Sequence, residues 1–247
     1  MRKITIIFFL ILFTLASCKK DKPMANTATD TYTPPVVTLP TTTTDTTVRY
    51  YLALGDSYTI GQSVNVEDRF PVQTVKYLKG QGFTFIAPEI IAQTGWTSAN
   101  LMSAIATTTP SRPTYDIVTL LIGVNNQYQH KPKDEYATEF LTLLNKAIMY
   151  ADNKVKRVIV LSIPDYGVTP FANGSDRNAI AKDIDEFNLI NKKVSDQAGV
   201  NYLDITTSSR LAANDLSLVA SDGLHPSGIE YKVWAQKLLP IIEKALQ

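Results

Sequence analysis

The run Ile117-Val118-Thr119-Leu120-Leu121-Ile122, bounded by Asp116 and Gly123, is β-branched and apolar at nearly every position. A strand with one wet face alternates apolar and polar residues, so an unbroken run needs cover on both faces. Val158-Ile159-Val160-Leu161, within Arg157 to Ile163 and stopped by Pro164, makes the same demand. Tyr50 to Leu54, Phe83 to Ala92 and the short Asn201 to Ile205 are three further extended runs. Longer amphipathic stretches lie between them. Phe70 to Leu78 and Thr97 to Ala106 read as helices, as does Lys133 to Ala151 with Phe140, Leu143, Leu144, Ala147 and Ile148 on one face. Asp176 to Ala198 repeats Ile180, Ile184, Phe187 and Val194 at helical spacing, and Ser227 to Leu246 reads as a helix interrupted at Pro240. Buried strands alternating with helices predict an α/β domain built on a parallel sheet covered on both faces.

In such a fold ligands gather beyond the carboxyl ends of the strands. Ser57 follows the first strand in Gly55-Asp56-Ser57, and Gly95 follows the second. Asn125 follows the third in Gly123-Val124-Asn125-Asn126, while Asp222-Gly223-Leu224-His225 follows the last. A serine hydroxyl is a poor nucleophile until a base takes its proton, and the base needs an orienting partner. The chain has 2 histidines. His130 lies in the polar stretch Gln129 to Lys133, which reads as a solvated loop. His225 has the Asp222 carboxylate three residues before it, so His225 is the candidate base and Asp222 its orienter. Singly, each piece has an ordinary structural use: Gly-Asp-Ser is a common turn, and Asp222 and Ser227 could cap the last helix. Four polar segments at the ends of four inferred strands point instead to catalysis. Asp56 neighbours the nucleophile, but its side chain is expected to bond backbone in the turn.

These blocks, in this order, resemble those of the SGNH hydrolase superfamily, also called GDSL esterases and lipases. The resemblance extends from Val48 to Gln247 and implies a flavodoxin-like three-layer α/β/α sandwich with a five-stranded parallel sheet. It implies hydrolysis of acyl esters with no metal and no organic cofactor. Matched by position, Ser57 would be the nucleophile, His225 the base and Asp222 its partner. The backbone amides of Ser57 and Gly95 and the Asn125 side chain would form the oxyanion hole. Position 126 is asparagine where the family commonly has aspartate. The Gly-x-Ser-x-Gly elbow of α/β-hydrolases is not matched, because Gly55-Asp56-Ser57-Tyr58-Thr59 lacks the second glycine. Tyr58, Trp96, Tyr166 and Phe171 are candidate substrate contacts, and Pro164 to Asp176 a candidate wall of the acyl or alcohol site. With no evident lid or long apolar pocket segment, a small O-acyl ester, such as an acetylated glycan, is the expected substrate. Rival readings are acyl transfer, lysophospholipase or thioesterase activity at the same site, or a glycan-binding surface lipoprotein without catalysis.

The start of the chain carries a different signal. Arg2 and Lys3 precede the apolar run Ile4 to Leu15, followed by Leu15-Ala16-Ser17-Cys18. The run is shorter than the ~20 residues of a spanning helix and fits a secretory signal. Leu-Ala-Ser-Cys resembles the lipobox of bacterial lipoproteins, so residues 1–17 are expected to be removed and Cys18 lipidated. That would leave the mature chain without a free thiol, since Cys18 is the single cysteine. Residues 18–47 are expected to be the lipidated cysteine and a disordered tether, because 11 of the 21 positions from Thr27 to Thr47 are threonine. The resemblance to SGNH hydrolases implies that residues 48–247 are the hydrolase domain. Lys19 rather than aspartate follows Cys18, which suits outer-membrane sorting in a cell with two membranes. With 24 basic and 23 acidic residues, the chain offers no electrostatic case for nucleic-acid binding.

Overall fold

The computed structural model describes residues 46–247. The expected signal segment, Cys18 and the threonine-rich stretch up to residue 45 lie outside the described residues, while Thr46 and Thr47 are exposed coil. Five parallel strands form the main sheet: β2 (Tyr51–Gly55), β4 (Glu89–Ala92), β5 (Ile117–Leu121), β6 (Val158–Leu161) and β7 (Asn201–Leu203). Their spatial order is β4-β2-β5-β6-β7. Every residue of β2, β5 and β6 is buried, as their unbroken apolar character demands, whereas the edge strands β4 and β7 are only partly covered. Thr119, the polar residue of β5, is paired in the core with Tyr51, whose hydroxyl lies 2.9 Å from Thr119 Oγ1.

Helices α2 (Phe70–Gly80) and α8 (Gly228–Leu246) pack together. Helix α5 (Lys133–Tyr150) packs between α3 (Ser98–Thr107) and α6 (Arg177–Ala198). The predicted helices therefore form, with ends within a few residues of those expected. Asp176 caps α6 through bonds from Asn178 N and Ala179 N, and Ser227 caps α8 through Ile229 N. Two readings change. Helix α8 runs through Pro240 without interruption. Proline removes one intrahelical donor, but Pro240 and Gln236, whose carbonyl loses its partner, both face solvent. The run from Phe83 to Ala92 is two strands, with Ile86, Ala87 and Pro88 between them. The first, β3 (Thr84–Phe85), pairs with β1 (Val48–Arg49) in a separate two-stranded sheet.

The register sets up the site. Gly55 stands beside Ala92 on one side and Leu121 on the other, so three strands end abreast. From β2 the chain goes to β4 on one flank and then to β5 on the other, which makes the carboxyl end of β2 the switch point of the sheet. Each strand there runs into a tight turn. After β2, Asp56 caps the one-turn helix α1 (Ser57–Ile60), its carboxylate accepting from Tyr58 N at 3.0 Å. After β5, Gly123 at φ 130 starts the short helix α4 (Val124–Tyr128). That conformation favours glycine.

Asp56 is 1% exposed, and burial pushes its carboxyl up to about 7 against the backbone hydrogen bonds that lower it. Because the folded chain holds this proton more tightly than the unfolded chain, the contribution is full below about pH 4. It is lost as pH rises through about 7. Asp56→Asn keeps the capping acceptor and removes the titration. Urea denaturation should show the wild type losing stability relative to Asp56→Asn across that window, by on the order of a few kcal/mol. Parallel pH profiles for the two proteins would contradict this account.

Candidate active site

Ser57 is the first residue of α1, so its N–H has no acceptor one turn earlier in the helix. No other acceptor is found for it among the described residues. Its side chain opens on a cavity of about 90 Å³ lined also by Tyr58, Val124, Asn125, Tyr128, Tyr166, Phe171, Leu224 and His225. Thus Ser57, Asn125 and His225, predicted from three separate strand ends, share one cavity.

His225 and Asp222 sit in a closed turn between the short segment Leu216–Leu218 and α8. Val219 bridges Pro226 antiparallel, and Ala220 N donates to His225 O at 2.7 Å. His225 Nδ1 lies 2.6 Å from Asp222 Oδ2, which leaves Nε2 as the ring nitrogen free to serve the cavity. Asp222 Oδ2 also accepts from Ser63 Oγ at 2.7 Å, while Oδ1 accepts from Leu224 N at 2.9 Å and His225 N at 3.0 Å. Partial burial alone would raise this carboxyl, but these bonds hold it at about 2, so it stays ionised at neutral pH. Ser63 was not foreseen. It lies 159 positions from Asp222 and carries no local motif; its left-handed backbone, φ 63, is the one mark that sets it apart.

The Tyr58 ring packs against the His225 imidazole with centroids 5.0 Å apart, restricting its tilt. The Ser57 hydroxyl has no side-chain hydrogen bond among the described residues, and such contacts commonly tighten only when substrate enters.

Asn125 is half-buried in the first turn of α4, and its Nδ2 donates to the Trp96 carbonyl at 3.0 Å. This ties α4 to the turn that holds Gly95 and leaves the second amide hydrogen uncommitted. Gly95 adopts φ 84, and a Cβ there would meet no protein atom, so the backbone conformation calls for glycine and the space ahead is open. Its N–H finds no acceptor among the described residues. Trp96 is half-buried against the hydrophobic core and is not part of the Ser57 cavity wall. The asparagine at 126 is fully engaged: its Oδ1 accepts from Ser98 N at 2.9 Å and its Nδ2 donates to Ser98 Oγ at 2.6 Å. Ser98 Oγ in turn donates to Glu139. Asn126 thereby locks the start of α3 to the start of α4.

Residues 164–176 contribute part of the cavity wall. Tyr166 and Phe171 line the cavity, and with Tyr128 they form an aromatic cluster with centroids 5.9–6.1 Å apart. The segment is anchored twice. The buried Asp165 carboxylate accepts from Gly167 N at 2.8 Å and from Arg210 Nε at 2.9 Å, and Phe171 N donates to Gly223 O at 2.9 Å. His130 is exposed in its loop and is not on the Ser57 cavity wall. Among the described residues, no group of three or more His, Cys, Asp or Glu side chains could hold a metal ion.

The model of the GDSL-like Lipase/Acylhydrolase family matches residues 53–233, well over half of the chain. No curated protein sequence matches significantly. Among solved structures, a member of the lipolytic G-D-S-L family from Veillonella parvula is 19% identical with TM-score 0.61, covering 80% of this chain and 100% of its own. Axe2, an acetylxylan esterase from Geobacillus stearothermophilus, is 16% identical with TM-score 0.62, covering 78% and 94% respectively. A lipase/acylhydrolase from Enterococcus faecalis is also 16% identical with TM-score 0.62, covering 81% and 97%. At these identities the structural likeness speaks to the fold, and the family match to the chemistry. The chain belongs to the GDSL-like lipase/acylhydrolase family within the SGNH superfamily and is a carboxylic ester hydrolase.

Proposed function

We propose that the protein is a serine esterase that hydrolyses small O-acyl esters, chiefly acetyl esters of carbohydrates, with Ser57, His225 and Asp222 as its triad. The observation that carries this reading is the 2.6 Å contact of His225 Nδ1 with an ionised Asp222, in a ring that shares one cavity with Ser57. Asp222 fixes the tautomer in which Nε2 is free to accept a proton. As Ser57 Oγ attacks the ester carbonyl, His225 Nε2 takes the hydroxyl proton and the carbonyl oxygen becomes an oxyanion. The Ser57 and Gly95 N–H groups and the free Asn125 amide hydrogen are its donors. Collapse breaks the ester C–O bond, and His225 returns the proton to the departing alcohol oxygen. Water, deprotonated by the same ring, then cleaves the acyl-serine to release the acid and restore Ser57.

The cavity size supports a short acyl group. Sites for drug-sized ligands run to about 300–1,000 Å³. The 90 Å³ around Ser57 is well below that, and Tyr166, Phe171 and Leu224 are among the side chains that line it. The acetylxylan esterase of the same fold supports an acetylated carbohydrate as the substrate class. We also propose that Cys18 is lipidated and that residues 19–47 tether the enzyme at the cell envelope, on the strength of Leu15-Ala16-Ser17-Cys18. No helix among the described residues is long and apolar enough to cross a membrane.

Ser57→Ala should abolish turnover of p-nitrophenyl acetate with the fold intact, since it removes the attacking oxygen and little volume. His225→Ala should be nearly inactive and His130→Ala close to wild type. Reversal of that pair, or activity retained in pure Ser57→Ala protein, would sink the mechanism. Asn125→Ala should lower kcat by about 10²–10³ with a smaller change in KM, because its hydrogen bond strengthens as the oxyanion forms. An unchanged kcat at saturating substrate would remove Asn125 from the oxyanion hole.

A further inference from the structure

The Ser57 cavity shares two of its walls, Tyr128 and Tyr166, with a much larger groove of about 540 Å³. The groove runs along the first turns of α6, where Asp176, Ala179 and Asp183 line it. Its volume falls within the range of small-molecule sites, whereas the Ser57 cavity holds only a small acyl group. The alcohol of an ester bound at Ser57 extends beyond this cavity, and the groove across Tyr128 and Tyr166 is the larger space beside it.

The chemistry of the lining narrows that alcohol. Tyr128 is 52% exposed and meets Tyr166 edge-on, which presents aromatic surface at the junction of the two spaces. Beyond the rings the apolar side chains of Ala179 and Ile180 alternate with charged groups. Asp176, Asp183 and Glu186 line the groove with Lys182 and His130, and Lys133 bridges Asp183 and Glu186. Carboxylates thus outnumber ammonium groups. A phosphate-bearing leaving group, such as that of an acyl-coenzyme A thioester or a lysophospholipid, would meet net negative charge. A neutral polyol would meet hydrogen-bond acceptors and aromatic faces.

We propose that the groove between Tyr128, Tyr166 and the start of α6 is the leaving-group site, and that it holds a neutral saccharide whose hydroxyl carries the acyl group. The inference rests on the esterase reading of Ser57. During acylation the sugar oxygen leaves the carbonyl carbon, takes its proton from His225 and remains in the groove as the free hydroxyl.

Ala179 is exposed, lines the groove and does not touch the Ser57 cavity. Ala179→Trp would fill the groove. The test compares kcat/KM for an O-acetylated neutral disaccharide, p-nitrophenyl acetate and acetyl-coenzyme A in both proteins, with thermal unfolding as the check on folding. The ratio of disaccharide to p-nitrophenyl acetate should fall about ten-fold in Ala179→Trp, through KM. The wild type should also prefer the disaccharide to acetyl-coenzyme A. An unchanged ratio, or preference for acetyl-coenzyme A, would overturn the proposal. Calorimetric binding of the acetylated disaccharide to Ser57→Ala protein, with and without Ala179→Trp, needs no catalysis. Binding that weakens about ten-fold with the tryptophan supports the groove even if Ser57 proves not to be the nucleophile. Absent binding, or binding indifferent to the tryptophan, overturns it while leaving the esterase reading standing.

Discussion

The Asp222 carboxylate accepts from Ser63, from the His225 ring and from the backbone of Leu224 and His225, and so joins chain segments 159 positions apart. Hydrogen bonds to an ionised acceptor are roughly twice as strong as neutral ones, and here they converge on one group held at about 2. The arrangement does two things at once. It closes the last loop onto the connection after β2, where Ser57 sits, and it orients the imidazole toward the cavity with a charge that remains at working pH. Around this contact the sheet supplies position: Gly55, Ala92 and Leu121 end abreast, and the residues that follow them have little choice about where they emerge.

Polar side chains behind the site tie its loops together. Asn126 clamps α3 to α4 through Ser98, and Asn125 clamps α4 to the Gly95 turn through the Trp96 carbonyl. Adjacent asparagines thus hold the same two loops from different sides. Asp165 and Arg210 do the corresponding work under the aromatic wall. Preorganisation of this kind favours catalysis because the donors need not reorient as charge develops.

Much of this was legible in the chain itself. The central strands could be read because burial on both faces leaves a one-dimensional trace, an unbroken apolar run. The order of the polar segments could be read because a parallel sheet delivers every strand end to the same side. What could not be read depended on contacts distant in sequence or on solvent exposure. Ser63 has no local signature for its bond to Asp222. The continuity of α8 through Pro240 depends on which face the proline occupies, and the division of Phe83 to Ala92 depends on β3 finding β1 rather than the main sheet. The small helices α1 and α4 are too short to show periodicity, yet they set the directions of Ser57 and Asn125. Asp56, expected to bond backbone in the turn, does so, and its burial adds a titration that composition alone would not reveal.

The proposed mechanism requires Ser57 to be an activated hydroxyl. Treatment of the wild-type protein with a serine-directed phosphonate, followed by peptide mass spectrometry, reads that property directly. A single adduct is expected, on the peptide carrying Ser57, formed in step with the loss of esterase activity. An adduct on another residue, or full inactivation with Ser57 unmodified, would contradict the mechanism.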